Sequence, residues 1–222
     1  MVDAYDLVVV PSEADAAILG LEVAVVPNGV DPARFRPTPI PPDPVLVFTG
    51  SLNWQPNIDG LSWFCRDIFP IVRRCVPDAR LDVVGRHPLP EVRALATLPG
   101  VELRADVPSV VPWLEAARLA VVPLRIGSGT RLKALEAMAA GRPVVGTTIG
   151  LEGLAVEDGV QALVADDAAT FAKRVVEVVG DDALAQRVAA AGAAHARVRF
   201  AWDRIGRQYL DTLLSLVQRQ AR

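Results

Sequence analysis

Between residues 125 and 136 the chain reads "RIGSGTRLKALE". Two arginines, a lysine, two glycines, a serine and a threonine crowd between an apolar run that ends at Leu124 and a helical pattern carried by Leu132, Leu135, Met138 and Ala139. A helix N-terminus leaves its first N–H groups unpaired and carries partial positive charge. Gly127 and Gly129 let backbone approach a ligand closely. Ser128 or Thr130 suits a helix cap or a donor to an oxygen. Arg125, Arg131 and Lys133 add full charge. Such a strand-to-helix junction is suited to an anion, and phosphate is the obvious one.

Spacing limits which of these groups act together. Arg131 and Lys133, two apart, project about 200° apart around a helix. Lys133 and Glu136, three apart, share a face and serve one ligand, or each other, better than Arg131 serves with either. The stretch lacks the Gly-Lys-Ser/Thr of a Walker loop. It is no dinucleotide fingerprint either, because Leu132 stands where the third glycine belongs. On physics alone, a solvated turn with a structural Lys–Glu pair fits as well as an anion site.

The elements that must hold this junction read as alternating strands and helices. Strands are expected at 7–10, 23–26, 45–49, 80–85, 100–103, 119–122, 143–146 and 162–164. "SEADAAIL" reads as a helix capped by Ser12. Ile58, Leu61, Phe64, Cys65, Ile68, Phe69 and Val72 repeat at three and four residues and mark a long amphipathic helix. An alanine-rich pair of helices broken near Gly180 follows residue 168. A last helix carries Trp202, Ile205, Tyr209, Leu213 and Leu216. The six later strands with intervening helices predict an α/β, doubly wound, Rossmann-like six-stranded parallel sheet with a helical C-terminal tail. Ligands of such sheets sit beyond the carboxyl ends of the strands where strand order reverses, which singles out the loops after Thr49, Gly85, Leu103 and Val122. Residues 31–44 hold six prolines and read as a linker.

Composition narrows the function. With 222 residues, half of them apolar, the chain buries a substantial core. A net charge of −3 argues against nucleic acid as partner. Cys65 and Cys75 fit no metal spacing and no disulfide framework, so a reducing, cytoplasmic setting is expected and no metal site is. "MVDAYDLVVV" lacks the features of a signal peptide, and no apolar run approaches a membrane span. His87 and His195 read as ordinary.

Taken together, "VVPNGVDPARFRP", "VFTGSLNWQPNIDGLSWF", "DVVGR", "LAVVPLRIGSGTRLKALEAMAAGRPVVGT" and "GLEGL" resemble, in order, the carboxyl-terminal half of the group 1 (family four) glycosyltransferases of GT-B architecture. The "PLR-G-GTR-K-LEAMA-G-PVV" pattern is the specific part. The resemblance implies a nucleoside-diphosphate sugar as donor substrate, no resident cofactor, and transfer with retention to a sugar or lipid-linked acceptor in polysaccharide or glycolipid biosynthesis. It implies that backbone N–H groups of the junction (Gly127, Ser128, Gly129, Thr130), Arg125, Arg131 and Lys133 hold the diphosphate. Glu136 then accepts from ribose hydroxyls, with Arg131, Lys133 and Glu136 as the catalytic set. Gly50, Asn57, Gly85, Arg86, Val107 and Ser109 complete the donor site, the loop 105–109 bordering the base. For Asn57 a helix cap is the plainer role; for Trp54, lining an acceptor cleft and packing under a loop stand level.

Two departures from the family pattern matter. Its second glutamate, eight residues before the position of Glu136, is Ser128 here. The cations common in the loop after the first donor-domain strand are absent from "GSLNWQPNIDG". The resemblance divides the chain into a remnant of the amino-terminal domain plus linker (1–38), a donor-binding domain (39–200) and a crossover helix (201–222). The expected partners are then the missing domain or another chain supplying it, with self-association through faces left bare. A cytoplasmic location is expected, with peripheral attachment at the inner membrane face open to a full-length enzyme. The alternatives are a non-catalytic nucleotide-sugar-binding module and a GT-B-like sugar-nucleotide epimerase or hydrolase.

Overall fold

The computed structural model describes residues 5–20, 23–127 and 129–220. Two short strands, β1 (Val9–Val10) and β2 (Ala24–Val25), pair in parallel around helix α1 (Glu13–Leu19). The Ser12 side chain caps α1 by accepting from Asp15 N–H, and Gly20 ends it in the left-handed region. The main sheet follows: β3 (Val45–Thr49), β4 (Arg80–Gly85), β5 (Val101–Ala105), β6 (Leu119–Val122), β7 (Val144–Gly146) and β8 (Leu163–Val164). Every pairing is parallel and the spatial order is β5-β4-β3-β6-β7-β8. Chain order therefore reverses between β3 and β6, the switch point of a doubly wound sheet.

The doubly wound expectation holds because both faces of the sheet are covered. All five residues of β3 are buried. Leu46 and Phe48 enter one core with Leu81, Val83, Leu119 and Val121; Val47 enters the other with Val84, Ala120 and Val122. The first core is roofed by α2 (Gln55–Trp63), α3 (Phe69–Cys75), α4 (Pro90–Leu95) and, later in the chain, α7 (Ala168–Gly180). The second is roofed by α5 (Val111–Ala116), α6 (Leu132–Ala139) and the later part of α8 (Asp182–Phe200). The strands start and stop within two residues of their sequence-based bounds, β5 running on to Ala105.

The first long helix is continuous but irregular. Between α2 and α3 lies a π-helical turn, Phe64–Ile68, in which Phe69 N–H reaches back to Phe64 C=O. Pro70 has no N–H to donate and its ring would crowd the carbonyl four residues earlier, which a widened turn relieves. The apolar stripe survives, with Ile58 through Val72 buried along it. Cys65 lies in this wall as a free thiol that burial pushes up to about 12, so it is inert packing.

The proline-rich stretch is fastened down. Arg142, fully buried, donates to the carbonyls of Thr38, Pro39, Ala117 and Ala140. Arg118 donates to Pro41 C=O and pairs with Asp182. The last helix, α9 (Trp202–Gln220), begins at a parallel bridge between Val30 and Ala201, and Gln208 donates to Val25 C=O. No helix among the described residues is long and apolar enough to cross a membrane.

Candidate functional site

At the switch point the loops after β3, β4, β5 and β6 enclose a cavity of about 460 Å³. It is lined by Gly50, Asn57, Gly85, Arg86, Val107, Ser109, Thr130, Arg131, Lys133 and Glu136. Four loops and α6 thus bring ten of the expected positions to one place. Three others fall elsewhere. Arg125 makes a bidentate pair with Asp59 of α2, at 3.0 and 2.5 Å, and lies over the Trp63 ring. Gly127 and Gly129 shape the junction with positive φ, 127° and 82°, without lining the cavity. Ser128 lies outside the described residues.

Lys133 and Glu136, one turn apart on α6, both line the cavity and are half-buried. The Lys133 ammonium donates to Asn57 Oδ1 and sits 4.3 Å above the centre of the Phe48 ring. Burial, helped by the Arg131 charge and opposed by Glu136, brings its pKa down to about 7. Burial likewise raises the Glu136 carboxyl, against the pull of Arg34 and Lys133. Among the described residues the Glu136 carboxylate accepts no hydrogen bond. The structural Lys–Glu pair that spacing allowed is therefore not formed: the ammonium has gone to Asn57.

Arg131 is the N-cap residue of α6 and is 6% exposed. Its Nε donates to Ile149 C=O at 2.7 Å, and one terminal nitrogen meets Gly127 C=O and Glu152, both at 2.9 Å. It braces the junction loop from behind while bordering the cavity. Thr130 does not cap the helix either. Its hydroxyl donates to Pro11 C=O and accepts from Asn28 N–H at 3.4 Å, tying the junction to the amino-terminal segment.

Asn57 caps nothing. Trp54 is the N-cap of α2, Gln55 opens the helix, and Pro56 and Asn57 lie inside its first turn. Its Nδ2 donates to Ser51 C=O at 2.8 Å. Gly50 makes room for this group: a Cβ there would stand 2.8 Å from Asn57 Nδ2 and 2.9 Å from Lys133 Nζ, at a φ of 155°. Two non-glycine residues in the loops after β4 and β5 hold left-handed backbone, His87 (φ 55°) and Asp106 (φ 54°). The Asp106 carboxylate accepts from His87 N–H at 2.9 Å and so locks the loops after β4 and β5 together.

Sequence reasoning missed Arg34. It was read as linker, yet it lines the cavity and its charge acts on Glu136. The basic residues around "NGVDPARFRP" were the available signal, but only the fastening of 31–44 by Arg118 and Arg142 brings that stretch to the site. Glu152, the partner of Arg131, was also missed. Trp54, 61% exposed, stands at the cavity rim. Four basic side chains, Arg34, Arg86, Arg131 and Lys133, face one carboxylate, so the cavity is cationic within an acidic protein. Among the described residues no group of three or more His, Cys, Asp or Glu side chains is placed to hold a metal ion.

Comparison with known proteins follows the same lines. Residues 43–181, more than half of the chain, match the family model described as glycosyl transferases group 1. A phosphatidyl-myo-inositol mannosyltransferase of Mycobacterium leprae is 30% identical over 86% of this chain and 53% of its own length. A D-inositol 3-phosphate glycosyltransferase of Xylanimonas cellulosilytica is 28% identical over 89% of this chain and 52% of its own. The chain thus spans about half the length of the curated relatives it matches. Among solved structures, Anabaena HepE in complex with UDP superposes with a TM-score of 0.78 at 20% identity, over 95% of this chain and 64% of HepE. That likeness is one of fold. With the family pattern matched across the sheet, the junction and α6, the chain belongs to the group 1 glycosyl transferases and carries the Rossmann-like fold of one half of a GT-B enzyme.

Proposed function

We propose that this chain is the donor-binding part of a two-domain glycosyltransferase, and that its switch-point cavity takes a nucleoside-diphosphate sugar. One observation carries this reading: Lys133 and Glu136 line a single cationic cavity, and among the described residues the Glu136 carboxylate accepts no hydrogen bond. A cation at a helix N-terminus suits the diphosphate. An acceptor-only carboxylate one turn further suits the vicinal hydroxyls of a ribose. The UDP in the complex of the Anabaena structural neighbour makes UDP the natural first probe.

In the proposed reaction the bond between the anomeric carbon and the diphosphate breaks. Negative charge grows on the leaving group as the sugar becomes oxocarbenium-like. Lys133, with the cationic surroundings of Arg34, Arg86 and Arg131, stabilises that charge more in the transition state than in the ground state. Arg131 acts largely through the loop it braces. We further propose retention of anomeric configuration, a sugar or lipid-linked acceptor, and a role in polysaccharide or glycolipid assembly. The scheme calls for no resident cofactor. On this reading residues 1–38 are a remnant of the acceptor-binding domain plus linker and 201–222 are a crossover helix, so the isolated chain binds donor but transfers poorly.

Calorimetric titration with a panel of nucleoside diphosphates tests this, repeated on Lys133→Ala and Glu136→Ala. One nucleotide should be preferred, and both variants should weaken it about tenfold or more. Equal, weak binding of every nucleotide by all three proteins would refute the site.

A further inference from the structure

The loop after β3 carries no cation, yet a cation stands beside it. Lys133 belongs to α6, on the far side of the switch point, and its ammonium lies against Asn57 and within contact of any side chain that Gly50 might have carried. We propose that Asn57 is the positioning residue of this site: its amide, anchored on the Ser51 carbonyl, holds the Lys133 ammonium over the Phe48 ring, so that α6 lends its charge to a loop that has none. The proposal rests on the donor-site reading above and names the residue through which that site is organised.

The chemistry of the bridge admits few side chains. The Ser51 carbonyl only accepts, and the ammonium only donates. The group between them must therefore present an N–H to one and an oxygen to the other. An amide does this in a single orientation, since the reverse would set NH₂ against NH₃⁺ and oxygen against oxygen. Asn57 has the required reach because it stands in the first turn of α2, and that turn is pinned. Gly60, one turn on, packs so closely against the next loop that a Cβ would lie 2.5 Å from Pro123 C=O. Asn57 itself is 6% exposed, with its oxygen already committed to Lys133. It acts through the lysine rather than as a principal ligand.

The charged groups around the ammonium explain why it needs holding. Arg131, preceding it by half a turn, repels it, and Glu136 attracts it from the next turn. Glu136 is itself drawn by Arg34 from the linker, and Arg86 lines the same cavity from the loop after β4. Burial disfavours the charged form. The Asn57 oxygen favours it, as does the face of Phe48. Remove the oxygen and the ammonium both loses its fixed place and gives up its proton at lower pH.

The chain contains only two lysines, Lys133 and Lys173, and Lys173 is 75% exposed on α7. Carbon-13 labelling at lysine Cε thus gives two resonances, the exposed one an internal control, assigned with Lys173→Arg. We expect the Lys133 signal to titrate near neutral pH in the wild type. It should move down by about one pH unit in Asn57→Ala, the loss of one hydrogen bond to a charged group. In Asn57→Asp, which keeps the shape and adds a negative charge, it should move up. The midpoint of the pH dependence of UDP affinity should move with it in each case. A titration of Lys133 unchanged in both variants would overturn the proposal, however well UDP binds. Affinity lost equally at every pH, with the midpoint in place, would do the same, since that is what simple loosening of α2 produces. A shifted Lys133 signal in a protein that does not bind UDP would uphold the positioning role and defeat the donor-site reading. If Asn57→Ala fails to fold, the upward shift in the near-isosteric Asn57→Asp carries the test.

Discussion

At Lys133 burial and ligand chemistry pull in opposite directions. The folded protein lowers this ammonium from an ordinary 10.5 to about 7, so between those values the unfolded chain holds a proton that the folded chain has released. Stability therefore rises with pH across that window, and the penalty for charging the group is complete below about 7. Replacing it by methionine removes the effect. The difference in urea midpoint between wild type and Lys133→Met should shift in favour of the wild type from pH 7 to pH 9.5; a pH-independent difference would show that folding does not depress the Lys133 pKa. Glu136 invites a matching test. If its carboxylate meets ribose, removing the 2′-hydroxyl from UDP should weaken wild-type binding about tenfold, within the usual worth of a hydrogen bond to a charged group. Glu136→Ala should bind both nucleotides alike in calorimetry, and a preserved preference would place the ribose elsewhere.

The strands and α6 were legible because their signals are local. Residues 45–48 are apolar throughout, as a strand covered on both faces must be, and the run 119–122 followed by glycines and a cation-rich turn marks a strand-to-helix junction. The role of Asn57 was misread because capping depends on where α2 begins. Pro56 held the correction, since proline favours the first helical turn and so places Asn57 inside it. Arg125 shows the opposite limit: its charge is plain in the sequence, but its capture by Asp59, 66 residues away, is a tertiary event. Arg34 was hidden for the same reason, its stretch being held by Arg142. That dependence is testable. Arg142→Ala strips partners from four carbonyls, two of them in the linker, and should destabilise the protein by about 3 kcal/mol, read as a fall in the urea midpoint. Gly85→Ala should be at least as damaging, about 3 kcal/mol, because its Cβ would lie 1.8 Å from Gly50 C=O and force β3 and β4 apart beside the cavity.

At the scale of the molecule, a protein of net charge −3 has concentrated four basic side chains around one cavity. Such focusing favours a multiply charged anion and weakens with added salt. The two ends of the chain expose apolar side chains instead. Tyr5, Ile18 and Leu19 beside the two-stranded sheet, and Tyr209, Leu210, Leu214 and Val217 on α9, are all exposed. On the proposed division of the chain these surfaces adjoin a second domain, and without it we expect concentration-dependent self-association in sedimentation velocity; a monodisperse monomer at high concentration would count against that division. Both features, the charged cavity and the bare flank, answer to one central claim, that a diphosphate is held where β6 passes into α6. Diffraction from crystals soaked with UDP addresses it most directly. We predict density for the two phosphates between the start of α6 and the loop after β3, with Lys133 Nζ in contact and the ribose against Glu136. Nucleotide bound elsewhere, or a cavity that stays empty at saturating UDP, would contradict the account.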